Sequence, residues 1–129
     1  DVGDKSNRDL ACQQDVGLKV KEIGGNPKIC FNKTATPAFI EVMLENSGSI
    51  AITGMQYAIF DINSNINLSQ NTSLSILAGA VSGKFNIPNN FNNIDIAQVE
   101  FTPMILPKGA VTEQLCSKNV LVIEDIAPC

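Results

Sequence analysis

Between Phe39 and Phe60 the chain reads FIEVMLENSGSIAITGMQYAIF, and apolar and polar positions alternate here more regularly than anywhere else in the sequence. Ile40, Val42 and Leu44 fall on one parity and Glu41 and Glu45 on the other, the period of two expected of a strand with one face buried. Asn46, Ser47, Gly48 and Ser49 follow, three short side chains that bond their own backbone and a glycine free to take positive φ, so a reversal is expected there. On the return, Ile50 and Ile52 share one parity and Met55, Tyr57 and Ile59 the other; a β-bulge at Gly54 would reset the inward face. The stretch therefore predicts a bulged β-hairpin.

The remaining pattern is also of short strands. Residues 1–11 lack periodicity and mix charged side chains with Gly, Ser and Asn, as a flexible leader does, which leaves residues 12–129 as a single domain. Val16, Leu18 and Val20 alternate with Lys19 and Lys21 up to the turn at Gly24–Pro27, and a short β-favouring patch at Lys28–Phe31 holds Cys30. After Asp61, the polar run INSNINLSQNTS predicts an exposed loop, followed by a short strand around Leu74, Ile76 and Leu77. Val81, Phe85 and Ile87 share a parity against Ser82, Lys84 and Asn86; Ala97, Val99 and Phe101 alternate with Gln98, Glu100 and Thr102, until Pro103 and Pro107 should end that strand. NVLVIEDI, nearly continuous in apolar residues, predicts a last strand buried on more than one side. About seven strands with turn signals between them describe an all-β, immunoglobulin-like two-sheet sandwich.

At 129 residues with 44% hydrophobic content, the chain can bury a sizeable core. Nine basic and thirteen acidic residues, with no long run of either sign, give no footprint for nucleic acid or an anionic membrane. No apolar run reaches the ~18 residues that would span a bilayer, so no membrane contact by this chain itself is expected. Histidine is absent, which removes the usual general base and the commonest metal ligand, and neither enzymatic activity nor a cofactor is expected.

Cys12, Cys30, Cys116 and Cys129 are even in number and widely spaced, with no C-x-x-C pair, so disulfides fit better than zinc. Sequence alone permits three connectivities. If the first strand runs parallel beside the last, as in immunoglobulin-like sandwiches, Cys12 pairs with Cys116 and Cys30 with Cys129. Asn32-Lys33-Thr34, Asn67-Leu68-Ser69 and Asn71-Thr72-Ser73 match the N-glycosylation acceptor pattern, so N-linked glycans are expected at Asn32, Asn67 and Asn71. Sequons and paired cysteines point together to an extracellular or cell-surface setting.

Three other groupings have plainer readings. Asp61, Asn63, Asn65 and Asn67 resemble half of a calcium loop, but Ile66 stands where an EF-hand needs glycine and Thr72 where it needs glutamate. Glu124, Asp125 and Asp95 are acids at strand ends, normally solvated, and no metal site is expected. Met43, Phe60 and the odd-face residues of the final strand would form a sticky surface if uncovered, though a second sheet or neighbouring loop is the better expectation.

The blocks CQQDVGLKVKEIGGNPKICFN, IEVMLENSGSIAITGMQYAIFD, AQVEFTPMI and LCSKNVLVIEDIAPC resemble the extracellular β-sandwich of archaeal pilin-like or archaellin-like secreted surface proteins. In that family a hydrophobic N-terminal helix precedes a glycosylated immunoglobulin-like domain; this chain has no counterpart of the helix. The resemblance implies a non-enzymatic structural role, as the outer domain of a filament subunit or anchored surface protein, with self-association or other surface proteins as partners. The competing expectation is a secreted adhesion module binding carbohydrate or protein through loops at one end of the sandwich. With 5% aromatic residues and no Trp, it is poorly supplied for stacking against sugars.

Overall fold

A computed structural model of the chain describes residue 12 and residues 15–32, 34–35, 38–62, 66–88, 96–107 and 109–129. Two lines of strand organise the first sheet. β5 (Phe39–Val42) and β6 (Leu44–Asn46) are one path interrupted at Met43, and along one edge of it run β1 (Leu18–Val20), antiparallel to β6, and β4 (Ile29–Asn32), antiparallel to β5. Between β1 and β4 the chain is pinched out: Lys21 N donates to Met43 O at 2.9 Å, Met43 N to Lys28 O at 2.9 Å, and Lys28 N to Lys21 O at 2.8 Å. The excursion is a small ribbon of β2 (Glu22–Ile23) and β3 (Asn26–Pro27). It turns at Gly24 and Gly25, with φ of 62° and 82°, the two successive positive values that a tight two-residue hairpin turn requires.

On the other edge, β9 (Phe85–Pro88) pairs with β5, and the preceding chain continues along β6 through Asn46 N to Ala80 O and Ser82 N to Leu44 O. Beyond β4, Phe31 N donates to Ala127 O and Cys129 N to Phe31 O, which adds residues 127–129 as a short parallel strip.

The second sheet is built on β10 (Ile96–Ile105). β7 (Gly54–Asp61) pairs along one side of it, and β8 (Ile66–Thr72) pairs with β7. The opposite side of β10 takes β12 (Leu121–Glu124) against Gln98–Phe101 and β11 (Gln114–Leu115) against Met104 and Ile105. The two sheets face each other across one core. Ile29, Phe31, Ile40, Val42, Leu44 and Ile87 meet Met55, Tyr57, Ile59, Val99 and Phe101, with Ile52 and Ile76 between. Each aliphatic side chain fully withdrawn from water contributes roughly 1.5–3 kcal/mol, and Ile40, Val42, Leu44, Ile59 and Val99 are all fully buried. A smaller cluster joins Cys12, Cys116 and Ile105, with Val16 and Ile50 against it.

The all-β, two-sheet sandwich expected from the pattern is the observed one. Twelve strands lie among the described residues in place of about seven, because long paths are broken. β1 with β4, β5 with β6, and β11 with β12 are each one path in pieces, and β2–β3 is the added ribbon.

Several local expectations are corrected. The two arms of Phe39–Phe60 do not form a hairpin: β5 and β6 lie in the first sheet and β7 in the second, so residues 47–53 cross between layers. That crossing explains the change of inward parity without a bulge at Gly54. The run after Asp61 is not all loop, for β8 occupies Ile66–Thr72. A bulge does occur there: Ile59 pairs with Leu68 and Phe60 with Ile66, so Asn67 is the extra residue. Around Ile76 there is a single bridge to Ile52 and no strand, and Leu77 is exposed.

Ser82, not Val81, points inward, because its hydroxyl oxygen accepts from Leu44 N at 2.9 Å. β10 runs through Pro103 to Ile105. The Pro103 carbonyl accepts from Cys116 N on the edge away from β7. Nitrogen and carbonyl of one residue face the same side of an antiparallel ladder, so the missing donor falls where β12 gives way to β11. The last strand is not buried on two sides; β12 is an edge strand with Leu121 and Ile123 inward and Val122 47% exposed. Residues 1–11, Asn63, Asn65 and Asp95 lie outside the described residues.

Candidate functional site

The pleat that turns Ile40, Val42 and Leu44 inward turns Glu41 and Glu45 outward, and β1 brings Lys19 opposite Glu45. Lys19 Nζ lies 3.0 Å from Glu45 Oε2, and Lys21 Nζ donates to Glu45 Oε1 at 3.4 Å. One strand further on, Lys84 Nζ pairs with Glu41 Oε1 at 3.2 Å. The outer face of the first sheet is thus a cross-strand ladder of lysines and glutamates. The hydrogen bond from the Lys19 ammonium holds the Glu45 carboxyl below its ordinary value; burial opposes this and Lys21 adds to it. Pairs this close to solvent are screened and contribute little, so the ladder keeps the face charged and in register more than it stabilises the fold.

Two concavities open on this face. One, of about 230 Å³, is lined by Pro27, Lys28, Ile29, Cys30, Glu41, Met43 and Lys84. The other lies beside Lys19, Lys21, Glu45 and Leu121. Lys84 in the first and Lys19 and Lys21 in the second already face a carboxylate, while Lys28 lines the first beside Pro27 and Ile29. Met43 is half-buried at the rim of the first. Phe60 is half-buried on β7 and the odd-face Leu121 and Ile123 pack against the core, so the residues expected to form a sticky surface are covered; the exposed apolar residue of the last strand is Val122, on its other face.

The cysteines form two bonds. Cys12 is joined to Cys116 across 104 positions, with Cα atoms 5.4 Å apart, and Cys30 to Cys129 across 99, with Cα atoms 4.8 Å apart. These are the pairs named from sequence, but the strand order behind them is different. β1 lies beside β6, not beside β12, and Cys30 reaches Cys129 because residues 127–129 run parallel to β4. Cys12 reaches Cys116 because β11 leads the chain into the small cluster around Ile105. Two such bonds mark a non-reducing environment.

Cys30, Glu41 and Cys129 bring their ligand-type atoms within 4.8 Å of one another. Both sulfurs are spent in the disulfide, so the group offers a single carboxylate and does not read as a metal centre. The acids Glu124 and Asp125 are exposed at the end of β12, and Asp61 is buried at the end of β7.

Asn71 is exposed on β8, opposite the outward Gln56. Asn32 ends β4, and its Oδ1 accepts from Thr34 N at 3.2 Å, Thr34 Oγ1 at 3.0 Å and Ala35 N at 3.1 Å, a local turn within the sequon. The three acceptor asparagines are therefore not brought together: Asn32 belongs to the first sheet, Asn67 and Asn71 to the second. The sequence reading missed the lysine–glutamate ladder, although equal parity of Lys19 with Lys21 and of Glu41 with Glu45 was its signal. It also missed buried Asn46, which looks like any turn residue until the turn proves to be a crossing between sheets.

Comparison of the chain with protein-family models, with curated proteins and with solved structures finds no match.

Proposed function

We propose that this is a non-enzymatic structural domain that works outside the cell, as the outer part of a cell-surface filament subunit of the pilin or archaellin type, or of an anchored surface protein. The observation that carries the reading is the pair of disulfides, each closing about a hundred residues into a loop. In the chain-entropy model such a closure removes about 4–5 kcal/mol of unfolded-state freedom, a large share of a small domain's stability. A domain held in this way suits a place where thiols oxidise and chaperones are absent. The filament assignment itself rests on the sequence resemblance. Glycans at Asn32, Asn67 and Asn71 belong to the same reading, and would keep partners to the surfaces between them.

Isolation of the native protein from its source cells, under non-reducing conditions, tests the proposal. It should be found in the surface fraction, as polymers or attached to an anchor, with no free thiol and with glycan mass on the sequon peptides. Recovery from the cytosol with free thiols overturns the setting. A monomer carrying a bound sugar or peptide replaces the structural role with that of an adhesion module.

A further inference from the structure

The two disulfides sit in unlike surroundings. Cys12 and Cys116 are 6% and 2% exposed, packed on Ile105. The crevice beside them, about 50 Å³, has room for little more than a water molecule or two. Cys30 is half-buried and Cys129 is exposed. Ala127 and Pro128 are exposed as well, and two backbone hydrogen bonds, both to Phe31, tie this strip to β4. Upstream of it Asp125 takes φ of 54°, a left-handed value that non-glycine residues seldom adopt, so the strip leaves the sheet at a bend held under constraint. Ile126 packs against the core, but residues 127–129 contribute nothing to it.

We infer that Cys30–Cys129 is a separable latch: a small dithiol opens it while Cys12–Cys116 stays closed, and its opening frees the 127–129 strip from the edge of β4 with the core intact. In the first step a thiolate of the reductant attacks one sulfur in line with the S–S bond, forming a mixed disulfide and releasing the other cysteine as a thiolate. In the second, the reductant's remaining thiolate attacks the mixed disulfide, closing the reductant into a cyclic disulfide and releasing the second cysteine. Two electrons pass from the dithiol to the protein, and both cysteine thiolates take protons from water. In-line attack needs access to a sulfur, which the latch offers and the buried bond does not.

Glu41 sets the rate of this opening. Its Oε2 lies 3.7 Å from Cys30 Sγ, and since a disulfide sulfur carries no hydrogen, the contact places a negative charge against a centre where more negative charge must develop. Lys84, 3.2 Å from the other carboxylate oxygen, offsets it in part. Two unit charges about 4 Å apart in water interact by an amount equivalent to about fivefold in rate. Glu41→Gln should therefore speed opening about fivefold and Lys84→Gln slow it, neither touching Cys12–Cys116. A merely structural role for these side chains would not move the rate in opposite directions.

The test is a graded exposure of the oxidised protein to dithiothreitol at pH 8, quenched with iodoacetamide and read by peptide mapping, with amide exchange followed in parallel. Label should reach Cys30 and Cys129 at least about tenfold faster than Cys12 and Cys116. Exchange should accelerate at the Phe31 and Cys129 amides while the β7 and β10 amides stay slow. Equal labelling of the two bonds, earlier labelling of Cys12 and Cys116, or loss of β10 protection at the first step overturns the inference. The Cys30→Ser, Cys129→Ser double variant should keep slow β7 and β10 amides; if it is unfolded, the latch is not separable.

Discussion

The side-chain amide of Asn46 donates to the carbonyl of Ile76, 3.1 Å away and thirty positions further along the chain. The same nitrogen donates to Ile50 O at 2.8 Å, and its Oδ1 accepts from Gly48 N at 3.0 Å. A fully buried asparagine thus holds the point where the chain leaves the first sheet for the second, tying Ile50 and Gly48 of the crossing to the Ile76 carbonyl, which Ile52 N also reaches. Asn46→Ala should lose about 2–4 kcal/mol of stability, since it takes their partner from the Ile50 carbonyl and the Gly48 amide and one of two from the Ile76 carbonyl. Asn46→Asp should lose at least as much at pH 7, because it turns a carboxylate toward those carbonyls. Urea denaturation measures both; a loss under about 1 kcal/mol for Asn46→Ala would mean that water replaces the side chain.

Val42 and Val122 test the two sides of the fold. Val42 is fully buried on β5, and Val42→Asp should cost more than about 4 kcal/mol or prevent folding. Val122 faces outward from β12, and Val122→Asp should stay within about 1 kcal/mol of the parent. Thermal melts of the two variants read the difference directly, and equal tolerance would overturn the register of either strand.

Much of this was legible from residues alone, and the misses share a cause. Parity identified Ile40, Val42, Leu44, Met55, Tyr57, Ile59, Val99 and Phe101 as inward, because burial of one sheet face imposes a period of two wherever the sheet lies. Parity carries no information about which strand is the neighbour. The turn chemistry of Asn46–Ser49 fits a hairpin and a crossing equally well, and only the packing of this segment on Asp15 and Gly17 decides between them. Pro103 reads as a terminator because a missing donor usually ends a ladder; here the gap between β11 and β12 absorbs it. The polar composition of Ile66–Thr72 hid an edge strand, which needs fewer apolar side chains than a central one. The lysine–glutamate ladder needed the pairing of β1 with β6, which sequence does not display.

Gly48 shows how close that packing is. A Cβ built there would overlap the carbonyl of Asp15 and meet Gly17 N at 2.7 Å, backbone atoms that cannot swing away. Gly48→Ala should therefore cost more than about 2 kcal/mol. Gly24→Ala, in open space but with φ of 62°, should cost only about 1 kcal/mol of backbone strain. Chemical denaturation of the pair separates crowding from conformation, and the reverse order would refute it.

Among the described residues, Tyr57 and Glu45 should shape the pH dependence of stability at its two ends. Burial raises the phenol of Tyr57 above its ordinary value of 10.0. Its folded-state pKa exceeds the unfolded one, so its contribution is complete below that value and is lost as pH rises through the folded pKa. Tyr57 is the single tyrosine in the chain, so the ultraviolet titration of phenolate formation reports it alone and should inflect above 10. Glu45 behaves oppositely. Lowered below its ordinary 4.5 by the Lys19 hydrogen bond, it contributes above that value and is lost as pH falls through the folded pKa. Glu45→Gln should flatten the acid side of the stability profile and leave the alkaline side unchanged.

The two disulfides also decide how the domain answers a pull. Tension applied between Cys12 and Cys129 has two covalent routes, one through the Cys12–Cys116 bond and on to Cys129, the other along the chain to Cys30 and across its bond to Cys129. The first contains about 13 residues of backbone, so even if stretched straight it spans only about 45 Å. β5, β7 and β10 lie on neither route, whereas β12 lies on the first and β1 and the start of β4 on the second, so load enters each sheet through these strands. A domain tethered through these two points would have its reach capped by the short first route, with β12 the strand that must peel from β10 before that cap is met.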